Sequence, residues 1–351
     1  MARSSDRLFP RKLDLRSGVI ELVHGAGGKA SAQLFEEVFR LAFNNPELDR
    51  GDDGARFEGG ATMVTATDGH VVTPLFFPGG DIGCLAVHGT INDVAMAGGA
   101  PHCMTVGFIL EEGFPLADLK RIVASMAEAA RTASVAIIAG DTKVVERGKC
   151  DGVFITTTGF GPVHSFIETP PASTRAAPGD AIVLSGEIGD HGITILAARE
   201  NLPLSAPIQS DSAALHLLAS ELLREIPYTK CLRDPTRGGV ATAINEICRA
   251  SGTGAVLKEA QIPTRRAVEA ACEILGVDPL YLANEGKMIA IVPRDQANRA
   301  LDVMRSNPLG EKAAIIGEIT DDPQNFVQME TLSGGRRMVD WLVGDPLPRI
   351  C

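Results

Sequence analysis

Apolar residues recur at helical spacing through Leu34, Phe35, Val38, Phe39 and Leu41, which predicts a helix over 31–43 with Ser31 placed to cap it. The polar, Gly/Asp-rich stretch 44–58 has no such period and reads as loop. Two short runs, 61–67 and 71–77, predict strands around a turn at Asp68-Gly69. Residues 82–97 return to a helical pattern, with Leu85, Val87, Ile91 and Val94 among the apolar positions, and Gly98-Gly99-Ala100-Pro101 stops it. Strand 104–110, helix 115–133 and strands 135–139 and 152–159 complete an α/β unit that ends near Pro162.

Residues 169–178 (TPPASTRAAP) break the pattern and form the best linker candidate. Beyond them the pattern predicts strand 181–184, helices 191–199 and 211–225, a loop at 233–239, and helices 240–250 and 264–275. Strand 287–292, helix 294–305 and strand 313–317 follow. Both halves mix strands and helices, so the chain reads as two domains of similar size, α/β and α+β in class. The implied boundaries are an N-terminal segment 1–45, a first domain 46–165, a second domain 175–335 and a mobile tail 336–351.

Composition narrows the function. With 351 residues, 45% of them apolar, the chain can build two real cores. A net charge of −11 and only 5% aromatics argue against nucleic-acid partners, which call for clustered Lys and Arg and for stacking platforms. No run approaches membrane-span length, and the basic N-terminus has no apolar secretory core. Seven scattered cysteines with no CxxC pair point to a reducing, cytoplasmic setting rather than disulfides or structural zinc. Six of them lie in or beside apolar segments and read as packing residues.

The seventh cysteine is different. Cys351 is the last residue, on a tail reading Asp345-Pro346-Leu347-Pro348-Arg349-Ile350-Cys351. The prolines disfavour helix, and an extended 344–351 segment could reach roughly 25 Å. The remaining candidate chemistry is acidic and glycine-rich. His24-Gly25-Ala26-Gly27-Gly28-Lys29 offers side-chain-free backbone N–H groups, with Gly27, Gly28 and Lys29 as a phosphate cradle, although a tight turn would look the same. Asp68, Asp81, Asn92-Asp93, Asp141 and Asp234 each sit at a strand end, by a helix or in a glycine-flanked turn. Taken singly, each reads as turn or cap chemistry. Taken together they suit Mg²⁺ bridging polyphosphate oxygens, with Asp68, Asp81, Asp93 and Asp141 as metal ligands.

The order HGAGG, ATDG, PGGDIG, TINDVAMAGGAP, AGDTKVV, LSGEIGDHG, RDPTRGG and NEGK resembles the ATP-binding superfamily of aminoimidazole ribonucleotide synthetase and selenophosphate synthetase. With the terminal PRIC, the chain is similar within it to the carbamoyl dehydratases of hydrogenase maturation, over almost its whole length. The resemblance implies a two-domain PurM-like fold, with an N-terminal sheet that pairs with a second copy in a homodimer. ATP and Mg²⁺ then lie between the domains, with Asp68, Asn92, Asp141 and Asp234 at the nucleotide. It further implies that a partner carbamoyltransferase loads Cys351, and that the thiocarbamate is dehydrated to a thiocyanate. An iron-binding hydrogenase maturation scaffold receives the cyanide. Lys143 and Glu285 are implied to stand where the tail inserts, as a proton-handling pair. Arg349 would orient the tail through charge and Ile350 through an apolar pocket. His24 and His191 are expected to make local hydrogen bonds. Two alternatives remain: a non-catalytic carrier of the modified cysteine, and another ATP-dependent enzyme of the fold. A selenophosphate synthetase should carry a reactive cysteine near the glycine loop, and this loop has none.

Overall fold

The computed structural model describes residues 12–21, 24, 30, 33–45, 62–202, 207–340, 342 and 349–351. Gly27, Gly28 and Lys29 lie outside the described residues, as do Ser31, Pro346 and Pro348.

The first domain is a four-stranded sheet with two helices on one face. Its strands are β1 (Met63–His70), β2 (Cys103–Glu111), β3 (Ala136–Val145) and β4 (Val153–Pro162), in the spatial order β1-β4-β2-β3. β1 and β2 run antiparallel to β4, and β3 runs parallel to β2. Helices α1 (Ile82–Met96) and α2 (Leu116–Thr132) cover the inner face. α1 is buried nearly all round, so it shows no polar stripe. The outer face carries Thr67, Gly69, Ile109, Thr156, Asp141 and Lys143, all exposed.

The second domain is a seven-stranded sheet. β5 (Ala181–Leu184) and β8 (Ile289–Val292) are buried on both faces, which explains their unbroken apolar runs. β6 (Cys231–Arg233), β7 (Gly254–Lys258), β9 (Ala314–Thr320), β10 (Val327–Glu330) and β11 (Arg336–Met338) extend it in the order β11-β10-β7-β9-β5-β8-β6. On one side, α5 (Gly239–Ser251) packs a core through Val240, Ile244 and Ile247. On the other, α4 (His216–Glu225) and α7 (Ala297–Ser306) form a second core, which Ala95 and Met96 of α1 join from the first domain. The remaining helices are α3 (Asp190–Glu200) and α6 (Arg266–Leu275).

Three expectations change. The turn at Asp68-Gly69 is not a turn, because β1 stays paired with β4 through it, Asp68 opposite Thr157 and Gly69 opposite Thr156. The strand ending at residue 139 continues to Val145, since the β2 ladder pairs Asp141 with Gly107 and Lys143 with Ile109. The helix placed over 211–225 begins only at His216, because Asp211 is held by groups of the second domain. β6, β7, β10 and β11 were not anticipated. They are short, three to five residues each.

Candidate active site

A cavity of about 450 Å³ opens between the two domains. β1 contributes Asp68 and His70, α1 contributes Asp93, and the segment after β6 contributes Asp234, Thr236 and Arg237. Glu285 and Cys351 complete it. The local fold explains each placement. The Gly238-Gly239 pair adopts φ of +74° and +61°, turning the chain sharply into α5, and a Cβ on Gly239 would meet Leu280 O at 2.4 Å. Asn284 locks the approach to Glu285 by accepting from Gly189 N at 2.8 Å and donating to Pro235 O at 3.0 Å. The Glu285 N–H donates to Asp211 Oδ1 at 3.1 Å, and Asp211 is in turn paired with Lys287 at 3.0 Å.

The cavity concentrates negative charge. Burial, then the neighbouring Asp234 and Asp68, push the Asp93 carboxyl up to about 8. Burial raises Asp234 to about 6. Glu285 is raised well above the carboxylate range by burial and by the surrounding aspartates, and its Oε1 is buried with no hydrogen-bond partner. The Cys351 thiol is pushed far up by burial and by the neighbouring Glu285. Arg237 opposes this charge at Cys351, and with burial it also lowers His70 to about 4.

The last three residues of the chain are docked into this site. Cys351 O accepts from Val71 N at 3.2 Å and Arg349 O from Thr73 N at 3.2 Å, so the tail lies antiparallel to the residues just after β1. Ile350 is 4% exposed, inside the core that the first domain shares with α3 and α6. The Arg349 guanidinium pairs with Asp151. Both orienting roles expected of Arg349 and Ile350 thus have partners.

Other candidates fall elsewhere. Asp81 caps α1, accepting from Gly83 N at 2.8 Å and Cys84 N at 3.2 Å, and does not line the cavity. Asn92 is a brace between domains, donating to Ala213 O at 3.0 Å and Glu285 O at 3.3 Å while accepting from Leu215 N at 2.7 Å. Asp141 and Lys143 pair with each other at 2.8 Å on the exposed edge strand β3. That edge is three strand spacings, about 14 Å, from β1 and on the opposite face of the sheet. Within one chain Lys143 and Glu285 are therefore not brought together; the lysine near Glu285 is Lys287. Asp141 and Lys143 line a second cavity of about 270 Å³ with His24 and the rings of Phe35, Phe39 and Phe43. His24 Nδ1 accepts locally from Glu21 N at 2.9 Å. Sequence reasoning missed His70 and Arg237 in the main cavity; Arg237 stood in plain view in the RDPTRGG run.

Among the described residues no three His, Cys, Asp or Glu side chains form a ready metal shell. Mg²⁺ does not need one, because it keeps waters and binds through one or two carboxylates plus phosphate oxygens. Asp68, Asp93 and Asp234, the last two raised by burial and by neighbouring carboxylates, fit such an ion.

Comparison with known proteins identifies the family. Residues 51–163 match the AIR synthase related protein N-terminal domain, and 177–330 match the corresponding C-terminal domain. The chain is 60% identical over 341 residues to carbamoyl dehydratase HypE of Azotobacter vinelandii, covering 97% of this chain and 99% of that one. It resembles a crystal structure of hydrogenase maturation protein HypE in complex with ATP, with TM-score 0.91, 47% identity, and 94% and 99% of the two chains covered. A HypE chain in a HypE–HypF complex matches with TM-score 0.78 and 47% identity, over 88% of this chain and 99% of that one. Two AIR synthase related domains and near-full-length likeness to HypE leave one assignment: the chain belongs to the carbamoyl dehydratase HypE family.

Proposed function

We propose that the protein dehydrates a carbamoyl group carried as a thiocarbamate on Cys351 to a thiocyanate, at the expense of ATP, and so supplies cyanide for hydrogenase iron. The observation that carries this reading is the docked tail, which sets Cys351 beside the buried Glu285 in the lining of a carboxylate-rich cavity.

The chemistry asks for what these residues offer. An amide oxygen leaves poorly, so it must first become a phosphate ester. The carbamoyl oxygen attacks the γ-phosphorus of ATP, ADP departs, and one N–H proton is lost. The second N–H proton is then removed as phosphate leaves, closing C≡N on sulfur. Glu285 stands beside the sulfur, and burial raises its proton affinity, as a group that takes such protons requires. The tether replaces a bimolecular encounter with a fixed approach. Mg²⁺, held by Asp68, Asp93 and Asp234 with the nucleotide, would neutralise phosphate charge. Arg237 faces the same space.

Asp141 and Lys143 enter this scheme through assembly. Among the described residues, no strand covers the outer edges of β1 or β3, and the outer sheet face is bare. A two-fold homodimer that closes these edges against each other sets the β3 of one copy beside the β1 of the other, where Asp68 lies. Lys143 would then serve the partner copy's cavity. The carbamoyl donor is a partner transferase, a role compatible with a HypE–HypF complex in a relative. The acceptor is an iron-binding scaffold.

Cys351→Ala tests the assignment. It should keep ATP affinity by calorimetry and lose every carbamoyl or cyano adduct. An adduct appearing on Cys84 or another cysteine would refute it.

A further inference from the structure

Each of the last three carbonyls of the chain has a donor, and two of these donors are side chains of one helix. Arg199, in the last turn of α3, donates from a terminal nitrogen to Arg349 O at 2.7 Å and from Nε to Thr73 O at 3.1 Å. One guanidinium thus ties the tail to the segment it lies against. His191, at the start of α3, lies 2.7 Å from Ile350 O through Nε2. A carbonyl can only accept, so Nε2 carries the proton and Nδ1 accepts from the Ser210 hydroxyl at 2.8 Å. The imidazole is completely buried and stands edge-on to Phe77, with ring centroids 5.7 Å apart. Ser210 Oγ accepts from Ser212 N at 3.1 Å, next to Asp211, which holds the Glu285 backbone. The supports of the tail and of Glu285 therefore meet in one short loop.

We propose that Arg199 and His191 form a latch on the backbone of Arg349 and Ile350, and that its strength sets the fraction of time Cys351 spends at Glu285. They are positioning residues. Neither touches the sulfur, and neither reads a side chain of the tail. The inference rests on the reading that Cys351 carries the chemistry, because only a thiol that must also meet a transferase needs a docking equilibrium. Backbone contacts suit that need: they hold a defined register at the terminal thiol whatever group the sulfur carries.

Pulsed alkylation tests it. The full-length, nucleotide-free protein is treated with N-ethylmaleimide, and modification of the C-terminal peptide is compared with that of the Cys84 peptide by mass spectrometry. Arg199→Ala removes two charge-assisted hydrogen bonds, so Cys351 should react roughly tenfold faster, with Cys84 unchanged. Arg199→Lys should accelerate Cys351 nearly as much, because one ammonium does not reproduce the fork that spans Thr73 O and Arg349 O. His191→Ala should act in the same direction; Arg199, on the half-buried end of α3, keeps the test valid if that buried substitution impairs folding. An unchanged Cys351 rate in Arg199→Ala would overturn the latch, as would an equal rise at Cys84, which would mean general loosening. Alkylation reports docking and not carbamoyl chemistry. A failed latch would leave the function standing, and a protein that never gains an adduct would refute the function without touching this result.

Discussion

The cavity around Cys351 and the exposed edge of β3 hold the same kinds of residue in opposite physical states. In the cavity, Asp93, Asp234 and Glu285 are buried and crowded, and their carboxyls are pushed upward. On β3, Asp141 is about two-thirds exposed and lowered by its pairing with Lys143. The first arrangement stores unfavourable charge that a cation or a proton relieves. The second is an ordinary surface pair that gains little until something covers it. One chain therefore presents a nearly complete acidic half-site at one sheet edge and an isolated Lys–Asp pair at the other. A second copy is the simplest way to join them.

Breaking the buried half should have the largest effect. Glu285→Gln keeps the shape but removes the base, so dehydration should slow by roughly 10²–10⁴-fold while Cys351 is still carbamoylated. Quenched mass spectrometry distinguishes the two steps, and wild-type dehydration in this variant would remove Glu285 from the chemistry.

The exposed half should matter somewhat less, and only across the proposed dimer. Lys143→Ala should reduce turnover by about 10²-fold if its charge meets the transferring phosphate. Mixing Lys143→Ala with Cys351→Ala gives the sharper result. In a shared site, the mixed dimer regains one complete centre, with Cys351 from one chain and Lys143 from the other. Persistent inactivity after subunit exchange would count against sharing.

A smaller effect should appear as pH-dependent stability. Asp93 is raised to about 8 in the folded state, so between its ordinary value near 4 and 8 the folded protein binds more protons than the unfolded chain. Stability of the nucleotide-free protein should therefore fall as pH rises through that window. Asp93→Asn should raise Tm at pH 8 by ~2–4 °C and change it little at pH 4, as read by calorimetry. The smallest effect is expected at Asp81, where alanine removes a helix cap, costs about 1 kcal/mol of stability and leaves ATP affinity unchanged. Weakened ATP binding in that variant would return Asp81 to the metal site.

These contrasts also mark what the sequence could disclose. The helices were legible because their apolar patterns are long, and the doubly buried strands because their apolar runs are unbroken. Cys351, Asp68, Asp93, Asp234 and Glu285 were legible because they fall in motifs whose order is distinctive. Asp81 was not separable from them, since a capping aspartate before glycine looks the same as a ligand in that setting. Asp141 and Lys143 were misjudged in position because AGDTKVV reads as a turn after a strand, whereas ladder pairing with β2 carries the strand through it. Arg199 gave no usable signal, and His191, expected to bond locally, instead reaches Ile350 O in the tail. Their tail contacts span 150 and 159 residues of sequence, and nothing local to α3 announces them.

The central claim is dehydration on Cys351, and intact mass tests it most directly. The full-length protein is incubated with a carbamoyl donor, its transferase and ATP·Mg²⁺. The account predicts a carbamoyl adduct on the C-terminal peptide that then loses one water, with the loss arrested when a non-hydrolysable ATP analogue replaces ATP. A carbamoyl adduct that persists unchanged while ATP is present and hydrolysable would contradict it, and would leave the protein a carrier rather than a dehydratase.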